Sequence, residues 1–322
     1  MAGLTNYIIR RILFMIPVFL AVSILTFIIT NAAGDPIALI RLSLRSAPPQ
    51  VIEELKIYYH LDQPLYMRYL YWLNDIIHFN LGITIAGTPV YNIMAPWVLP
   101  TLELQIPSLI LAVVIGVPLG IYSAIHQYSK RDITVTTFAL FGYSMPTFWL
   151  GLMMIIIFSL YLGWLPSAGA AGITRYWWGS EFADRIAHLI MPLLVLTYVD
   201  LATFVRLMRG NMLQTLREDY ILAARASGLK ESTVIYKHAL RNAITPIVTI
   251  VGLSFGASLG GAPGLETTFS WPGLGYLFVQ AVFSLDIPLI VGITVVITLM
   301  LLVANLITDI IYGMIDPRIR LS

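Results

Sequence analysis

Long apolar stretches separated by polar connections dominate the chain. A helix needs about 20 predominantly apolar residues to cross the hydrocarbon core of a bilayer. Six stretches meet this requirement, at about residues 9–31, 101–126, 133–163, 186–208, 241–262 and 287–313. The pattern therefore predicts an all-α, polytopic membrane protein with six transmembrane helices.

The first stretch shares two features with a secretory signal peptide. It follows Arg10 and Arg11, and it precedes the small residues of "NAAGD". Its apolar run from Ile12 to Ile29 is, however, longer than the roughly 7–15 residues of a signal-peptide hydrophobic region. We therefore interpret this stretch as a retained first span.

Residues 32–100 separate the first two spans and are too patterned for a plain linker. Apolar residues recur at helical spacing in "PPQVIEELKIYYHL" and in "PLYMRYLYWLNDIIHF". We expect a helical extracytoplasmic insertion here; a pair of interfacial helices that only anchors the first span is the alternative. The predicted organisation is residues 1–31 with the first span, the insertion 32–100, and a core membrane domain 101–322, with spans 2–6 and a cytoplasmic loop at about 209–240.

Lys and Arg concentrate in one set of connections between the spans. This set includes Arg10 and Arg11, the pair Lys130 and Arg131, and the loop 209–240. Because cytoplasmic loops carry the excess of Lys and Arg, both termini and the loop are expected on the cytoplasmic side of the cell membrane. The insertion and the 263–286 loop are then expected on the outer side.

Composition excludes several classes of function. The chain is 58% hydrophobic and only 11% charged, as expected of a multi-span membrane protein and not of a soluble enzyme. A net charge of +2 is too small to indicate a nucleic-acid partner. The absence of cysteine rules out disulfides and thiolate chemistry, and the histidines stand singly, without the paired spacing of metal ligands.

No nucleotide-binding loop is evident in the sequence. The pattern GxxxxGK[ST] does not occur, and "GASLGG" at 256–261 lacks the lysine. We therefore expect that this chain does not bind ATP by that route and holds no cofactor or metal, while the absence of catalytic residues is what the family resemblance described below implies.

The most polar stretch in the second half is "EDYILAARASGLKESTVIYKHALRNAITP", residues 218–246. Glu218 and Asp219 suit the positive end of a helix dipole, and Gly228 suits the left-handed position after a helix, so a short helix is predicted over 218–228. Ser232 or Thr233 is then expected to cap a second helix that runs into the fifth span. Pro246 is expected to kink that span.

The predicted short helix presents residues of little bulk at Ala223, Ala224, Ala226 and Gly228. Another surface can therefore approach its backbone closely. A helix lying on the membrane surface would carry more bulky apolar residues on one face. We interpret the helix as a docking site for a cytoplasmic partner, with a simple structural turn as the alternative.

Several motifs, in order along nearly the whole chain, resemble one family. "AARASGL" followed by "HALRNAITP" is similar to the EAA-type cytoplasmic loop of ATP-binding-cassette importer permeases, in the form of the dipeptide, oligopeptide and nickel permeases. "LDQPLYMRYLYWL", "FNLGIT", "SMPTFWLGL", "LGWLPSAG", "ETTFSWPGLG" and "NLITDIIYGMIDPRIR" resemble other parts of the same family. Together they form a far more specific match than any one motif.

The sequence departs from the family pattern at a few positions. Leu222 occupies the acidic position that names the EAA motif, as is often so in this branch. Asn80 stands where aspartate is common, Thr84 where serine is common, and Pro263 and Gly264 where β-branched residues are usual.

The resemblance implies a mechanical role for this chain. A second permease subunit would complete the pathway, two ATPase subunits would hydrolyse Mg-ATP, and an extracytoplasmic binding protein would deliver the substrate. Membrane lipids would surround the spans. The residues that would couple to the ATPases are Asp219, Tyr220, Ala223, Ala224, Arg225, Ala226, Gly228 and Leu229.

Acidic residues within the predicted spans are candidates for the pathway, because charge in hydrocarbon is costly and is a functional hypothesis by default. Glu103 lies near the outer end of its span and either contacts substrate or simply reaches water. Asp200 lies deeper and either lines the pathway or pairs with Arg206. Asp309, near the cytoplasmic end, is interpreted as the structural partner of a nearby arginine or backbone group.

The motif "ETTFSWPGLG" supplies candidates for an outer gate. Glu266, Trp271 and Pro272 either contact the substrate or the binding protein, or form a tight turn that closes the outer mouth.

The substrate is open at this point. The family resemblance favours di- or oligopeptides, but permeases of this architecture also carry oligosaccharides or nickel. Outer aromatic residues suit stacking on sugars as well as packing, among them Tyr58, Tyr59, Tyr69, Tyr71 and Trp72. Rival classes are an ion-coupled secondary transporter, which would need a relay of intramembrane acids, a structural or signalling membrane protein, and an intramembrane enzyme.

Overall fold

The computed structural model describes residues 2–32, 49–58, 60–172 and 178–315, and these are almost entirely helical. Residues 33–48 and Tyr59 of the predicted insertion and the whole of "DPRIR" lie outside these ranges. The helices are α1 (Ala2–Ala32), α2 (Pro49–Tyr58), α3 (Leu65–Ile77), α4 (Val90–Ile125), α5 (Lys130–Ser144), α6 (Thr147–Tyr161), α7 (Glu181–Thr215), α8 (Asp219–Ala226), α9 (Glu231–Ala243), α10 (Thr245–Ser258), α11 (Pro263–Thr268), α12 (Leu274–Phe283) and α13 (Ile287–Ile315).

Four of these helices, α1, α4, α7 and α13, are long and apolar enough to cross a membrane on their own. Two further pairs, α5 with α6 and α9 with α10, bring the number to six when each pair counts as one span. The all-α polytopic fold predicted from the sequence is therefore confirmed. The helix α4 runs through residue 100, so the predicted division between insertion and core falls inside a continuous helix.

Both bent pairs break next to a proline. The axes of α5 and α6 differ by 103°, and Met145 between them is extended because the residue before Pro146 is sterically kept out of the helical region. The third predicted span is thus two helices, not one straight crossing. The axes of α9 and α10 differ by 47° beside Pro246, which confirms the predicted kink.

The centre of the molecule is the contact between α4 and α7. A Cβ atom on Gly120 would lie 2.7 Å from the Cβ of Met208 and 2.8 Å from the carbonyl oxygen of Val205, so only glycine allows the two backbones to come this close. Buried residues of α5, α8 and α9 complete this core, among them Ala139, Ile221 and Val234.

The helix α1 lies at the edge and exposes most of its apolar surface, as expected for a helix that faces lipid. It packs against α13, and its C-terminal end contacts α3, where Phe27 meets Tyr69 and Trp72 with ring centroids 5.5 Å apart. The insertion helix α3 therefore packs on the C-terminal end of α1.

Candidate functional site

Residues 218–230, which we name the coupling segment, fold as the short helix predicted for them. Glu218 occupies the N-cap position, Asp219 lies in the first turn, and Gly228 follows the helix with φ of +78°. The positive φ explains why glycine stands at this position, since a side chain there would strain the backbone.

Ile221 is the one side chain of α8 that is completely buried, and it packs in the core formed with residues of α4, α7 and α9. Ala224 is partly exposed, and every other residue named above as a coupling candidate is exposed. The helix therefore offers a continuous outward surface of small side chains, bordered by Tyr220 and Leu229.

Two polar contacts hold α8 against α9. Arg225 donates two hydrogen bonds to the carboxylate of Glu231, at 3.2 and 2.7 Å, and Asn242 donates to the hydroxyl of Tyr220 at 2.7 Å. The predicted cap at Ser232 or Thr233 is wrong, because α9 already begins at Glu231 with Lys230 as the N-cap. An acidic residue in the first turn and its pairing with Arg225 favour the earlier start.

An open groove borders the coupling segment on the side of α7. Its lining residues are Gly210, Leu213, Gln214, Arg217, Glu218 and Asp219. The groove thus meets the coupling segment at its first two residues, Glu218 and Asp219.

Residues 261–276, which we name the outer plug, contrast with the coupling segment. Glu266 is completely buried, and its carboxylate accepts hydrogen bonds from the backbone N–H groups of Ala262 and Tyr276, each at 2.9 Å. A Cβ atom on Gly273 would overlap this carboxylate. Burial raises the pKa of the Glu266 carboxyl, and the backbone hydrogen bonds lower it only in part.

Trp271 ties the outer plug to α4. Its indole is completely buried and its Nε1 donates to the carbonyl oxygen of Pro100 at 2.9 Å, while the backbone N–H of Leu274 donates to the hydroxyl of Thr101 at 2.7 Å. Pro272 is partly exposed. Glu266 and Trp271 thus have no free surface in this conformation, which matches the tight-turn alternative.

Glu103 and Arg185 form an ion pair beside the outer plug. The Nε of Arg185 donates to Oε2 of Glu103 at 3.0 Å, and Nη2 contacts the same oxygen. The guanidinium lies 5.8 Å from the ring centroid of Trp271. Both charged groups keep about a third of their surface exposed, at 31% for Glu103 and 39% for Arg185, so a charged ligand still has access to them.

Asp200 and Asp309 occupy different environments. Asp200 is partly buried in the middle of α7 and has no hydrogen bond or ion pair within the described residues. Arg206 does not pair with it and lies 4.8 Å from the ring centroid of Tyr143. Asp309 forms an ion pair with Arg11 at 3.2 Å, which confirms its structural interpretation.

Sequence reasoning missed one buried ion pair near the coupling segment. Asp132, in the first turn of α5, is 3% exposed and binds Arg209 of α7 through two hydrogen bonds of 2.7 and 2.8 Å. The only signal was an acidic residue three positions after Ser129, which is typical of any helix start. Sequence offers no means to pair it with Arg209, because 77 positions separate the two residues.

Comparisons with known proteins agree with this architecture. Residues 116–321 match the family model described as "Binding-protein-dependent transport system inner membrane component". The chain is 42% identical to the oligopeptide transport system permease protein AppB of Bacillus subtilis, over 98% of this chain and 99% of that protein.

Two further relatives match over the same extent. The dipeptide transport system permease protein DppB of Escherichia coli K12 is 37% identical, over 98% of both chains. The glutathione transport system permease protein GsiC of Escherichia coli O6:H1 is 38% identical, over 98% of this chain and 99% of that protein.

A solved structure has the same fold. It comes from an inward-facing form of the MetNI methionine ABC transporter, and it superposes with a TM-score of 0.56 at 18% identity over 70% of this chain and 96% of the other. From the family match and the near full-length relatives it follows that the chain belongs to the inner membrane components of binding-protein-dependent transport systems, as a multi-pass permease subunit of an ABC importer.

Proposed function

We propose that this permease forms half of the pathway of an ATP-driven importer of di- and oligopeptides. The support for peptides comes from the relatives, whose names specify oligopeptides, dipeptides and glutathione, and which align over almost the whole chain. A second permease subunit completes the pathway.

The observation that carries the proposal is the exposure of α8. A helix of small side chains held by the single buried residue Ile221 leaves its remaining surface for a partner. Two ATPase subunits, each supplying its own Mg-ATP site, dock on this helix and its counterpart in the second permease. ATP binding and hydrolysis take place there, and this chain converts the movement of the ATPases into a rigid-body switch of the pathway.

This assignment places α8 and both termini in the cytoplasm and the outer plug on the opposite side. An extracytoplasmic binding protein then delivers the substrate next to the outer plug. Asp200 lines the pathway, and the partly exposed pair Glu103 and Arg185 lies at its outer mouth.

The described aromatic residues of the insertion do not favour sugars as the substrate. Tyr69 and Trp72 pack on Phe27, and Tyr71 stacks on His60 with ring centroids 4.3 Å apart. Tyr58 and Tyr59, the other aromatic candidates, lie outside the described side chains. We therefore propose peptides as the substrate. Import of oligosaccharides or nickel is an alternative result that the following experiment would reveal.

Purification in gentle detergent, with the genes of the same operon co-expressed, tests the assembly. We expect a second permease and ATPase subunits to co-purify, and the accompanying binding protein to bind short peptides more tightly than oligosaccharides or Ni²⁺. Recovery of the chain without ATPases, together with ion-dependent uptake, would show that it is a secondary transporter. Preferential binding of an oligosaccharide or Ni²⁺ would overturn the peptide assignment alone.

A further inference from the structure

The ion pair between Asp132 and Arg209 stands apart from the other Lys and Arg ion pairs seen between described residues. Its aspartate is almost completely buried, whereas both partners of each other Lys or Arg pair keep at least a quarter of their side-chain surface exposed. The four lone-pair directions of the carboxylate are all used. Oδ1 accepts from Ser123 and from Nε of Arg209, and Oδ2 accepts from Nη2 of Arg209 and from the backbone N–H of Tyr128.

These hydrogen bonds join three consecutive elements to a fourth. Ser123 belongs to the end of α4, Tyr128 to the following turn, and Asp132 to the start of α5, while Arg209 comes from α7. A bidentate arginine fixes orientation as well as distance. The turn between α4 and α5 is therefore held rigidly to the cytoplasmic part of α7.

The same part of α7 carries the coupling segment. Arg209 lies between Met208 and Met212, which are both completely buried in the core that also receives Ile221 of α8. A displacement of α8 is thus transmitted by direct packing to the turn of α7 that holds Arg209.

The far end of this connection is the outer plug. From α5 the chain bends at Pro146 into α6, and α6 packs on α11 of the plug. A Cβ atom on Gly151 of α6 would lie 3.0 Å from Cε2 of Phe269 and 3.2 Å from Cγ2 of Thr268. Tight contacts therefore run from α8 through α7, α5 and α6 to the plug.

We propose that Arg209 and Asp132 are positioning residues for transport: their ion pair carries the movement of the coupling segment from α7 to α5 and α6, and so to the outer plug. This inference rests on the proposed function, in which ATPases move α8. Without the pair, α7 still follows α8, while α5 is held to α7 only by its remaining contacts, such as the packing of Ala139 and the hydrogen bond from the Tyr198 hydroxyl to the carbonyl oxygen of Phe138 at 2.8 Å. Coupling of ATP hydrolysis to movement of the plug is then weakened.

The test uses the assembled transporter in proteoliposomes, with its binding protein and a short peptide, and measures peptide uptake and ATP hydrolysis on the same preparation. In Asp132→Asn and in Arg209→Met, uptake per ATP hydrolysed is expected to fall about tenfold. The double variant Asp132→Asn/Arg209→Met should show the same loss as either single variant, because each removes the same interaction.

The matched control is Asp309→Asn, which breaks the ion pair to Arg11 between α1 and α13 and should leave the ratio unchanged. If a neutral variant does not assemble, Arg209→Lys serves instead, because lysine keeps the charge but cannot bind a carboxylate with two parallel hydrogen bonds.

An unchanged ratio in the single variants or in Arg209→Lys overturns the proposal. A loss in the double variant that equals the product of the two single losses also overturns it. Measurements on the wild-type transporter distinguish failure of this proposal from failure of the proposed function. If the wild-type transporter neither hydrolyses ATP nor takes up peptide, the proposed function is wrong. If it transports peptide and the variants show unchanged ratios, only the role of the ion pair is contradicted.

Discussion

The coupling segment and the outer plug are both short helical segments between spans, yet they are built in opposite ways. The coupling segment has one fully buried anchor, Ile221, and leaves its small residues exposed. The outer plug buries Glu266 and Trp271 completely and satisfies their polar atoms with backbone groups inside the same subunit.

This difference indicates which segment depends on a partner. A surface of alanine and glycine gains little from folding, and under the proposed function it packs against the ATPase. A plug whose carboxylate and indole are already hydrogen-bonded gains nothing from a partner and is expected to move as a rigid unit.

The largest expected effect comes from filling the surface of the coupling segment. Ala223 is exposed on α8, so Ala223→Arg should leave the melting temperature unchanged, since arginine is a good helix former. It should still lower peptide uptake by about 100-fold by blocking close approach of the ATPase. Uptake in proteoliposomes and ATPase co-purification measure the effect, with Ala223→Ser as the control that retains both. Normal co-purification of ATPase with Ala223→Arg would mean that docking takes place elsewhere.

The opposite result is expected in the outer plug. Glu266→Ala removes a fully buried acceptor from several backbone N–H groups and should lower the free energy of unfolding by about 3 kcal/mol. The molecules that still fold should keep their ATPases. Thermal unfolding in detergent measures the loss, and Thr267→Ala, at the exposed next position, is the control. Equal melting temperatures for the two variants would contradict a structural role for the carboxylate.

The buried carboxylate of Glu266 also predicts that the stability of the fold depends on pH. Because burial raises its pKa in the folded protein, the folded state binds this proton more tightly than the unfolded chain does. The contribution of Glu266 to stability is therefore greatest below its unfolded pKa and is lost as the pH rises through its folded pKa. Replacement by Gln should remove this part of the pH dependence of the melting temperature.

The sequence predicted only part of the contrast between the two segments. Apolar length and proline positions predicted the spans and the kink at Pro246, because these depend on local chemistry. The exposed α8 followed from the charges at its start and from Gly228. The burial of Glu266 depends on hydrogen bonds to residues up to 10 positions away, and that of Trp271 on Pro100, 171 positions away, so no local pattern reveals them.

Asp200 lies in a third region, the middle of α7. Its replacement tests whether this region serves transport, as proposed for the coupling segment, or the fold, as the outer plug does. Its carboxylate has no hydrogen bond or ion pair within the described residues, so Asp200→Asn should not lower the melting temperature. If Asp200 lines the pathway, uptake should change by about threefold, which corresponds to less than about 1 kcal/mol. Uptake at several peptide concentrations measures this change, and Asp309→Asn is the control for loss of a carboxylate in a span. A lower melting temperature with proportionate loss of uptake would assign Asp200 to the fold instead.

The smallest effect is expected from breaking the exposed ion pair between Arg225 of α8 and Glu231 of α9. Arg225 and Glu231 are bonded at 2.7 Å, but both are well exposed, and such surface pairs contribute less than about 1 kcal/mol. Glu231→Gln should therefore leave the melting temperature and ATPase co-purification within experimental error, because Ile221 and not this pair anchors α8. Ile221→Ala provides the contrast, since truncation of a fully buried isoleucine costs about 2–5 kcal/mol. If Glu231→Gln instead releases the ATPases, the exposed pair orders the docking surface, and α8 is held by its polar contacts as much as by its buried side chain.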